Sequence, residues 1–229
     1  MSDAPLIPAS TLVLISRHGK PLSVLLLQRA PTLRAFPGLW AFPGGRVDAV
    51  DCDTRWLSGL QPNASVLARL MQARDQSPLS VKTADYLQCM RIKAEAPSTW
   101  MPDRGNQELW PYWVAAVREC YEETGLALAN WNTGGPLNFG SFYYLGRLVP
   151  PPQVPYRFDT RFFAVLVDQF PVVVREPEAT SYRWIGVHEA LAQLELANPT
   201  RYVLLWLSQW CTAAAFENRW QKDEDQWKS

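Results

Sequence analysis

The sequence predicts a mixed α/β layer fold, in which helices flank a central sheet, with a helical insertion. Three observations support this prediction. Strand-like apolar runs stand on both sides of one strong helix, the C-terminal part is helical, and residues 53–107 form helical stretches bounded by prolines. Hydrophobic residues make up 48% of the 229 residues, which is enough for the core of one domain carrying an insertion.

The N-terminal part predicts two strands and a long loop. Residues 11–16 and 23–27 are apolar runs separated by a turn at residues 18–21, a pattern typical of a hairpin in a buried sheet. Residues 30–45 contain three prolines and three glycines, too many for a helix or a central strand. We expect a long loop there, of the kind that often has a functional role.

The second half predicts the remaining elements. Residues 112–124 favour a helix that ends at Gly125, where a left-handed C-cap is expected. Strands follow at residues 141–149, 161–167 and 182–187, and helices at residues 188–197 and 200–216. Within the insertion, helical stretches are predicted at residues 64–74 and 80–94.

Composition argues against several classes of protein. The 22 basic and 22 acidic side chains balance, so the chain shows no overall charge suited to nucleic acid or an acidic membrane. The four cysteines form no paired motif and only two histidines are present, which disfavours structural zinc and a disulfide framework. With no signal peptide and no apolar run of membrane length, we expect a cytoplasmic protein. A homodimer is left open.

The predicted helix at residues 112–124 has an unusual acidic face. Glu119, Glu122 and Glu123 lie opposite its apolar face, as i, i+3 and i+4 neighbours near the negative end of the helix dipole. Like charges at this spacing repel one another, and a hard divalent cation such as Mg²⁺ or Mn²⁺ would reverse that penalty. The alternative is a solvated acidic surface on which Arg118 pairs with Glu122.

The sequence around this helix resembles a known signature in two halves. Residues 118–126, RECYEETGL, match the second half of the Nudix signature, R-E-U-x-E-E-x-G-U with U apolar, and residues 42–48, FPGGRVD, resemble the loop that opens it. Two departures stand out. Asp51 takes the place of a glutamate, and residues 52–117 replace a much shorter spacer.

The resemblance to Nudix hydrolases implies a fold and a metal site. The fold is a Nudix-type αβα sandwich with a mixed central sheet, here with residues 53–107 inserted. The implied activity is metal-dependent cleavage of a diphosphate bond by direct displacement at phosphorus. The implied metal ligands are Glu119, Glu122, Glu123 and Gly45, and the implied structural positions of the motif are Gly44, Asp51, Arg118 and Gly125.

A second pattern narrows the expected substrate. Residues 25–30, with Arg34, Gly38 and residues 42–45, resemble the coenzyme A diphosphatase pattern L-L-T-x-R-[SA]-x3-R-x3-G-x3-F-P-G-G, except that Leu27 replaces threonine. This resemblance implies cleavage of coenzyme A or acyl-CoA to 3′,5′-ADP and (acyl-)4′-phosphopantetheine. The arginines considered for substrate binding are Arg29, Arg34, Arg157 and Arg161. The alternative for each is pairing with a nearby acid, as of Arg161 with Asp159.

The general base and the substrate class have competitors. Glu178 resembles a loop glutamate that serves many Nudix enzymes as a ligand or base, and Glu176 and Glu119 compete for that role. Another Nudix substrate, such as ADP-ribose or a dinucleotide, is the main rival. A non-catalytic nucleotide-binding module is disfavoured because the chain retains all three helix carboxylates.

Overall fold

The structure is a computed structural model that describes residues 5–18, 20–56, 109–128, 142–150, 156–174 and 177–218. Most of the predicted insertion, including both of its helices, lies outside these residues, and so does Glu176.

Within the residues that the structure describes, seven strands and three α-helices position the site. The strands are β1 (Leu6–Ser16), β2 (Ser23–Arg29), β3 (Trp40–Ala41), β4 (Gly44–Arg46), β5 (Phe142–Leu148), β6 (Arg157–Val167) and β7 (Ala179–Gly186). The helices are α1 (Trp110–Thr124), α2 (Val187–Gln193) and α3 (Asn198–Leu207), and a 3₁₀ turn covers Ala49–Cys52. None of the described helices is both long enough and apolar enough to cross a bilayer.

The described strands form one mixed sheet, as predicted, with flanking helices. Strand β1 pairs in parallel with β6 along its full length, from Leu6 opposite Arg157 to Ser16 opposite Val167. The other pairings between strands are antiparallel: β1 with β2 and β4, β2 with β3 and β7, and β5 with β6. This arrangement confirms the predicted fold class.

The prediction of an uninterrupted loop at residues 30–45 is wrong. Trp40 and Ala41 pair with β2, and Gly44 to Arg46 pair with β1. These strands are two and three residues long, too short for an alternating pattern to reveal them. Backbone hydrogen bonds to existing strands create them, despite the local prolines and glycines.

Alternating side chains of β1 divide the core between the two faces of the sheet. Val13 and Ile15 point to a cluster that includes α2 and α3, whereas Leu12 and Leu14 point to a cluster that includes α1. Leu27, which stands where the coenzyme A pattern has threonine, is buried in the α1 cluster. Helix α1 is thereby fixed against the sheet by its apolar face.

Helix α1 has the sequence features expected at its ends. Pro111 occupies the first turn, and Gly125 ends the helix in the left-handed conformation with φ 71°, its N–H bonded to the Tyr121 carbonyl. The single helix predicted at residues 200–216 is wrong, however. Helix α3 ends at Leu207 and residues 213–218 are helical again, with Trp206, Trp210 and Phe216 packed edge to face around the break.

Candidate metal-binding active site

The two glycines that begin β4, which we call the glycine loop together with the residues before them, lie directly against α1 and β1. Gly44 has φ 155°, and a Cβ at this position would overlap the backbone of Ser10 and Thr11 in β1. A Cβ at Gly45 would overlap the carboxylate of Glu119. The glycine pair therefore lets the helix, the loop and the sheet meet without intervening side chains, and it places the loop backbone beside the acidic face.

Glu123 is a buried carboxyl at this junction. Its Oε2 accepts a hydrogen bond from the Gly44 N–H at 2.9 Å. Burial raises the pKa of Glu123 to about 8, opposed by the Gly44 hydrogen bond. Glu119 and Glu178 raise this pKa further, and Arg29 lowers it. The ionised form of Glu123 is thus destabilised, because the nearby positive charge does not offset burial and the neighbouring carboxylates.

Glu119 is in a similar environment above Gly45. Its side chain is only 12% exposed, and burial raises its pKa to about 7. Arg118 acts against this shift, while Glu122 and Glu178 add to it. A cation placed among these groups would stabilise their ionised forms.

Arg118 connects the acidic face to the loop. Its Nε and Nη2 donate to the two oxygens of Asp51 at 2.8 and 2.9 Å, and Nη2 also donates to the Arg46 carbonyl at 3.0 Å. Its Nη1 donates to Glu122 at 2.8 Å and lies 3.1 Å from Glu119. The hydrogen bonds to Asp51 raise the pKa of Arg118 further. We call Asp51, Arg118, Glu119, Glu122 and Glu123 the acid-rich centre.

Asp51 ties together two segments that are distant in sequence. It is fully buried, and besides Arg118 its Oδ2 accepts the Asp48 N–H at 2.8 Å. A little further along, the Trp56 indole donates to the Val50 carbonyl at 2.8 Å and packs against the α1 cluster. The loop and helix are therefore joined directly, through Asp51 and Arg118, at the two ends of residues 52–117.

The donor set of the acid-rich centre suits a hard divalent cation. It offers carboxylate oxygens, which Mg²⁺ and Mn²⁺ prefer, and two of these carboxyls have pKa values raised by burial. Over the residues that the structure describes, no three acidic, histidine or cysteine side chains are grouped as a closed ligand set. Glu122 is instead paired with Arg118 and Glu123 with the Gly44 N–H, contacts that keep the like charges apart.

Glu178 belongs to the same region. It lies in the turn before β7, and its backbone carbonyl accepts the Ala30 N–H at 2.9 Å. Its charge acts on both Glu119 and Glu123. The structure therefore brings Glu178 close to two of the three helix carboxylates.

The four arginines considered for substrate binding are in different environments. Arg34 is exposed, and Arg29 is half-buried with Nε donating to the Ala35 carbonyl at 3.0 Å. Arg157 is half-buried near the Pro150 carbonyl. Arg161 is fully buried, 3.3 Å from Asp159 and stacked 3.7 Å over the Tyr112 ring, as in the alternative of pairing with a nearby acid.

Several main-chain groups that form contacts at this site were not predicted from the sequence. The Gly44 N–H binds Glu123, and the backbone of Ser10 and Thr11 accommodates Gly44. The Arg46 carbonyl binds Arg118. The doubled glycine was the one available signal, because it indicates a close backbone approach. Main-chain donors and acceptors have no side-chain identity through which a sequence could reveal them.

Comparisons with known proteins agree with the fold described above. Residues 111–207 match the family model of the NUDIX domain. A NUDIX hydrolase from Alicyclobacillus acidocaldarius is 23% identical, with 89% of this chain and 91% of that chain covered and a TM-score of 0.57. The NUDIX domain of Shewanella oneidensis NrtR, solved in complex with ADP ribose, is 15% identical, with 90% and 88% covered and a TM-score of 0.52. No curated protein matches the chain significantly.

Proposed function

We propose that this chain, whose residues 111–207 match the NUDIX domain model and which has the Nudix fold, is a diphosphatase that depends on a divalent cation. Its proposed substrate is coenzyme A or an acyl-CoA, and its products are 3′,5′-ADP and 4′-phosphopantetheine or the acylated form. The proposal rests on one observation above all. The carboxyl of Glu123 is buried and that of Glu119 is only 12% exposed, both beside the Gly44-Gly45 pair, although their ionised forms are destabilised there.

Helix energetics alone does not account for this placement. Glutamates in the last turns of a helix are disfavoured by its dipole, and burying them adds a desolvation cost. Functional sites are where such costs are commonly retained, because they prepare a group to bind or react. Glu119, Glu122 and Glu123 are the proposed ligands of the cation, with Gly45 of the adjoining loop.

The chemistry requires positive charge at the diphosphate and a base for water. When bound, Mg²⁺ or Mn²⁺ would neutralise diphosphate oxygens and make a water molecule more acidic. Glu178 and Glu119 are the candidates for accepting the proton of that water. The charge of Glu178 raises the pKa of Glu119, which supports placing both carboxyls in the same site. The Arg118 guanidinium already donates hydrogen bonds to Asp51, Glu122 and the Arg46 carbonyl. Its proposed role is therefore to orient the carboxylates.

Coenzyme A is favoured by the loop that precedes the site. Coenzyme A carries a 3′-phosphate as well as its diphosphate, so its binding calls for cationic side chains outside the metal site. Arg34 is exposed on that loop, and Arg157 is half-buried at the start of β6. Arginine is suited to bidentate phosphate contacts.

A substrate panel tests the proposal. Purified protein is assayed with Mg²⁺ and with Mn²⁺ against coenzyme A, dephospho-coenzyme A, ADP-ribose and a dinucleotide, and the products are separated by chromatography. We expect metal-dependent formation of 3′,5′-ADP from coenzyme A, with the highest kcat/KM of the panel. Glu122→Gln should abolish turnover, whereas Glu189→Gln, an exposed acid on α2, should leave it unchanged.

The outcomes separate the parts of the proposal. Higher kcat/KM for ADP-ribose would reject coenzyme A as substrate while retaining the diphosphatase. Full turnover by Glu122→Gln would reject the metal assignment. A nucleotide that binds tightly without turnover in either metal would reject the enzyme.

ADP-ribose is the second candidate substrate. The observation that favours it is the solved NUDIX domain from Shewanella oneidensis, which is complexed with ADP ribose. That domain is only 15% identical to this chain. The observation therefore has less weight than the coenzyme A diphosphatase pattern in residues 25–45. The same panel decides between the two.

A further inference from the structure

Arg29, at the end of β2, contacts the loop segment 35–39 and lies opposite Ala179 of β7. Its backbone N–H donates to the Leu39 carbonyl at 2.9 Å, and its carbonyl accepts the Gly38 N–H at 3.2 Å. Its side-chain Nε donates to the Ala35 carbonyl at 3.0 Å. One residue thus binds both ends of the loop segment 35–39.

That loop segment needs external contacts to keep its conformation. Phe36 has φ 53°, a left-handed conformation that is costly for a residue with a bulky side chain, and Gly38 has φ 72°. The Gln28 side chain adds a weaker contact to the Gly38 carbonyl at 3.4 Å. The Arg29 guanidinium is therefore well placed to hold the segment in its strained form.

The same point of β2 also fixes the turn that carries Glu178. The register between β2 and β7 shifts between Gln28 and Arg29, so that Arg29 lies opposite Ala179. The next residue, Ala30, donates its N–H to the Glu178 carbonyl. Such an irregularity re-aims side chains at the end of a strand. On the remaining side, the charge of Arg29 acts on Glu123 of α1.

We propose that Arg29 is a positioning residue that holds the loop segment 35–39 and the Glu178 turn beside the carboxylates of α1, rather than a ligand of the substrate phosphates. Its Nε–H is already engaged with the Ala35 carbonyl. Arg34, exposed on the same loop, is left as the candidate phosphate contact. The kinetic part of this proposal rests on the proposed function, whereas the structural part does not.

The test compares Arg29→Gln with Arg17→Gln. Arg17 is a matched control because its side chain also donates to a backbone carbonyl at 3.0 Å, that of Leu166. It follows the last residue of β1, away from the residues of that strand that pair with Gly44 and Gly45. Hydrogen–deuterium exchange is followed for peptides covering residues 30–40 and 177–182. We expect faster exchange in both peptides for Arg29→Gln and no change for Arg17→Gln.

Kinetics then distinguishes positioning from binding. Arg29→Gln should lower kcat about ten- to a hundredfold, by misplacing groups at the reacting centre, with equal effects on coenzyme A and dephospho-coenzyme A. Its KM for each should stay within about threefold, as expected when uniform binding is retained. Arg34→Ala should instead raise KM more for coenzyme A.

Two results would overturn the inference. One is wild-type exchange rates in both peptides of Arg29→Gln. The other is a KM increase in that variant that depends on the 3′-phosphate. If the wild-type protein hydrolyses nothing in the panel, the proposed function fails, but the exchange measurement still decides whether Arg29 holds the loop.

Discussion

Two clusters of arginines and acidic side chains lie beside α1. Acids outnumber arginines in one of them, and arginines outnumber acids in the other. In the acid-rich centre one guanidinium, Arg118, serves Asp51, Glu119 and Glu122. In the second, which we call the arginine-rich centre, Asp159 serves both Arg147, at 2.6 and 2.8 Å, and Arg161. Each contains a fully buried charged side chain, Asp51 in the first and Arg161 in the second, yet only the acid-rich centre would be stabilised by an added cation.

We interpret the difference as one between a proposed binding site and a structural contact. The arginine-rich centre joins β5 to β6, and through the Tyr112 ring it reaches α1. The acid-rich centre joins α1 to the glycine loop, but it also carries two carboxyls with pKa values raised to about 7 and 8. The contacts of the arginine-rich centre join secondary-structure elements, whereas those of the acid-rich centre leave a surplus of acids that packing does not explain.

The largest effect is expected from breaking the acid-rich centre. Arg118→Leu leaves Asp51 buried without its guanidinium, which should lower the free energy of unfolding by about 3–5 kcal/mol and abolish turnover. Urea denaturation measures the first effect. Arg55→Leu removes an exposed arginine from Asp53 and is the matched control, with little change expected. Equal stability of the two variants would contradict the buried clamp.

Breaking the arginine-rich centre should separate stability from activity. Asp159→Asn weakens charged hydrogen bonds to Arg147, so we expect a loss of about 2 kcal/mol in urea denaturation. Turnover of the folded variant should match the wild type. A folded variant without turnover would show that the two centres do not differ in the way described.

Stability without divalent cations should depend on pH. The folded-state pKa values of Glu119 and Glu123 lie above the ordinary value of 4.5, so folding favours their protonated forms. Their contribution is complete below about pH 4.5 and is lost as pH rises to 8. We expect the Tm in EDTA to fall by about 5 °C between pH 5 and pH 8, and much less in Glu123→Gln. A Tm that rises over this range equally in both proteins would contradict the assignment.

The smallest effect concerns the departure at Asp51. Asp51→Glu introduces the residue of the family signature, but the extra methylene must enter a fully buried site whose contacts are already made. Such overpacking should cost about 1 kcal/mol or slightly more, with metal-dependent turnover retained. Thermal denaturation measures the loss. A variant more stable than the wild type would contradict the claim that this buried site has no room for an extra methylene.

The sequence predicts the elements better than their contacts. The C-terminal end of α1 and the Gly125 cap follow from local patterns, and so does the acidic face, but the helix begins at Trp110, two residues before the predicted start. Asp51 and Arg118 are 67 positions apart, and their pairing depends on how the two segments fold together. Neighbouring Glu122 and Glu123 look alike in sequence, but one lies against Arg118 at the surface and the other is buried under Gly44. Burial of this kind is decided by tertiary packing.

The same limit applies to the arginines. Arg29, Arg34 and Arg161 share a residue type, so sequence alone left the same two roles open for all three, substrate binding or pairing with a nearby acid. The structure gives them a loop contact, an exposed position and a buried pair with Asp159. Only the surrounding backbone separates these roles.

The most direct test of the central claim is a Mn²⁺ titration followed by electron paramagnetic resonance. At pH 8, the wild type and Asp159→Asn should bind Mn²⁺ saturably and equally, while a variant combining Glu119→Gln and Glu123→Gln should bind at least about tenfold more weakly. If the doubly substituted protein binds Mn²⁺ as tightly as the wild type, the buried glutamates of α1 are not a cation site.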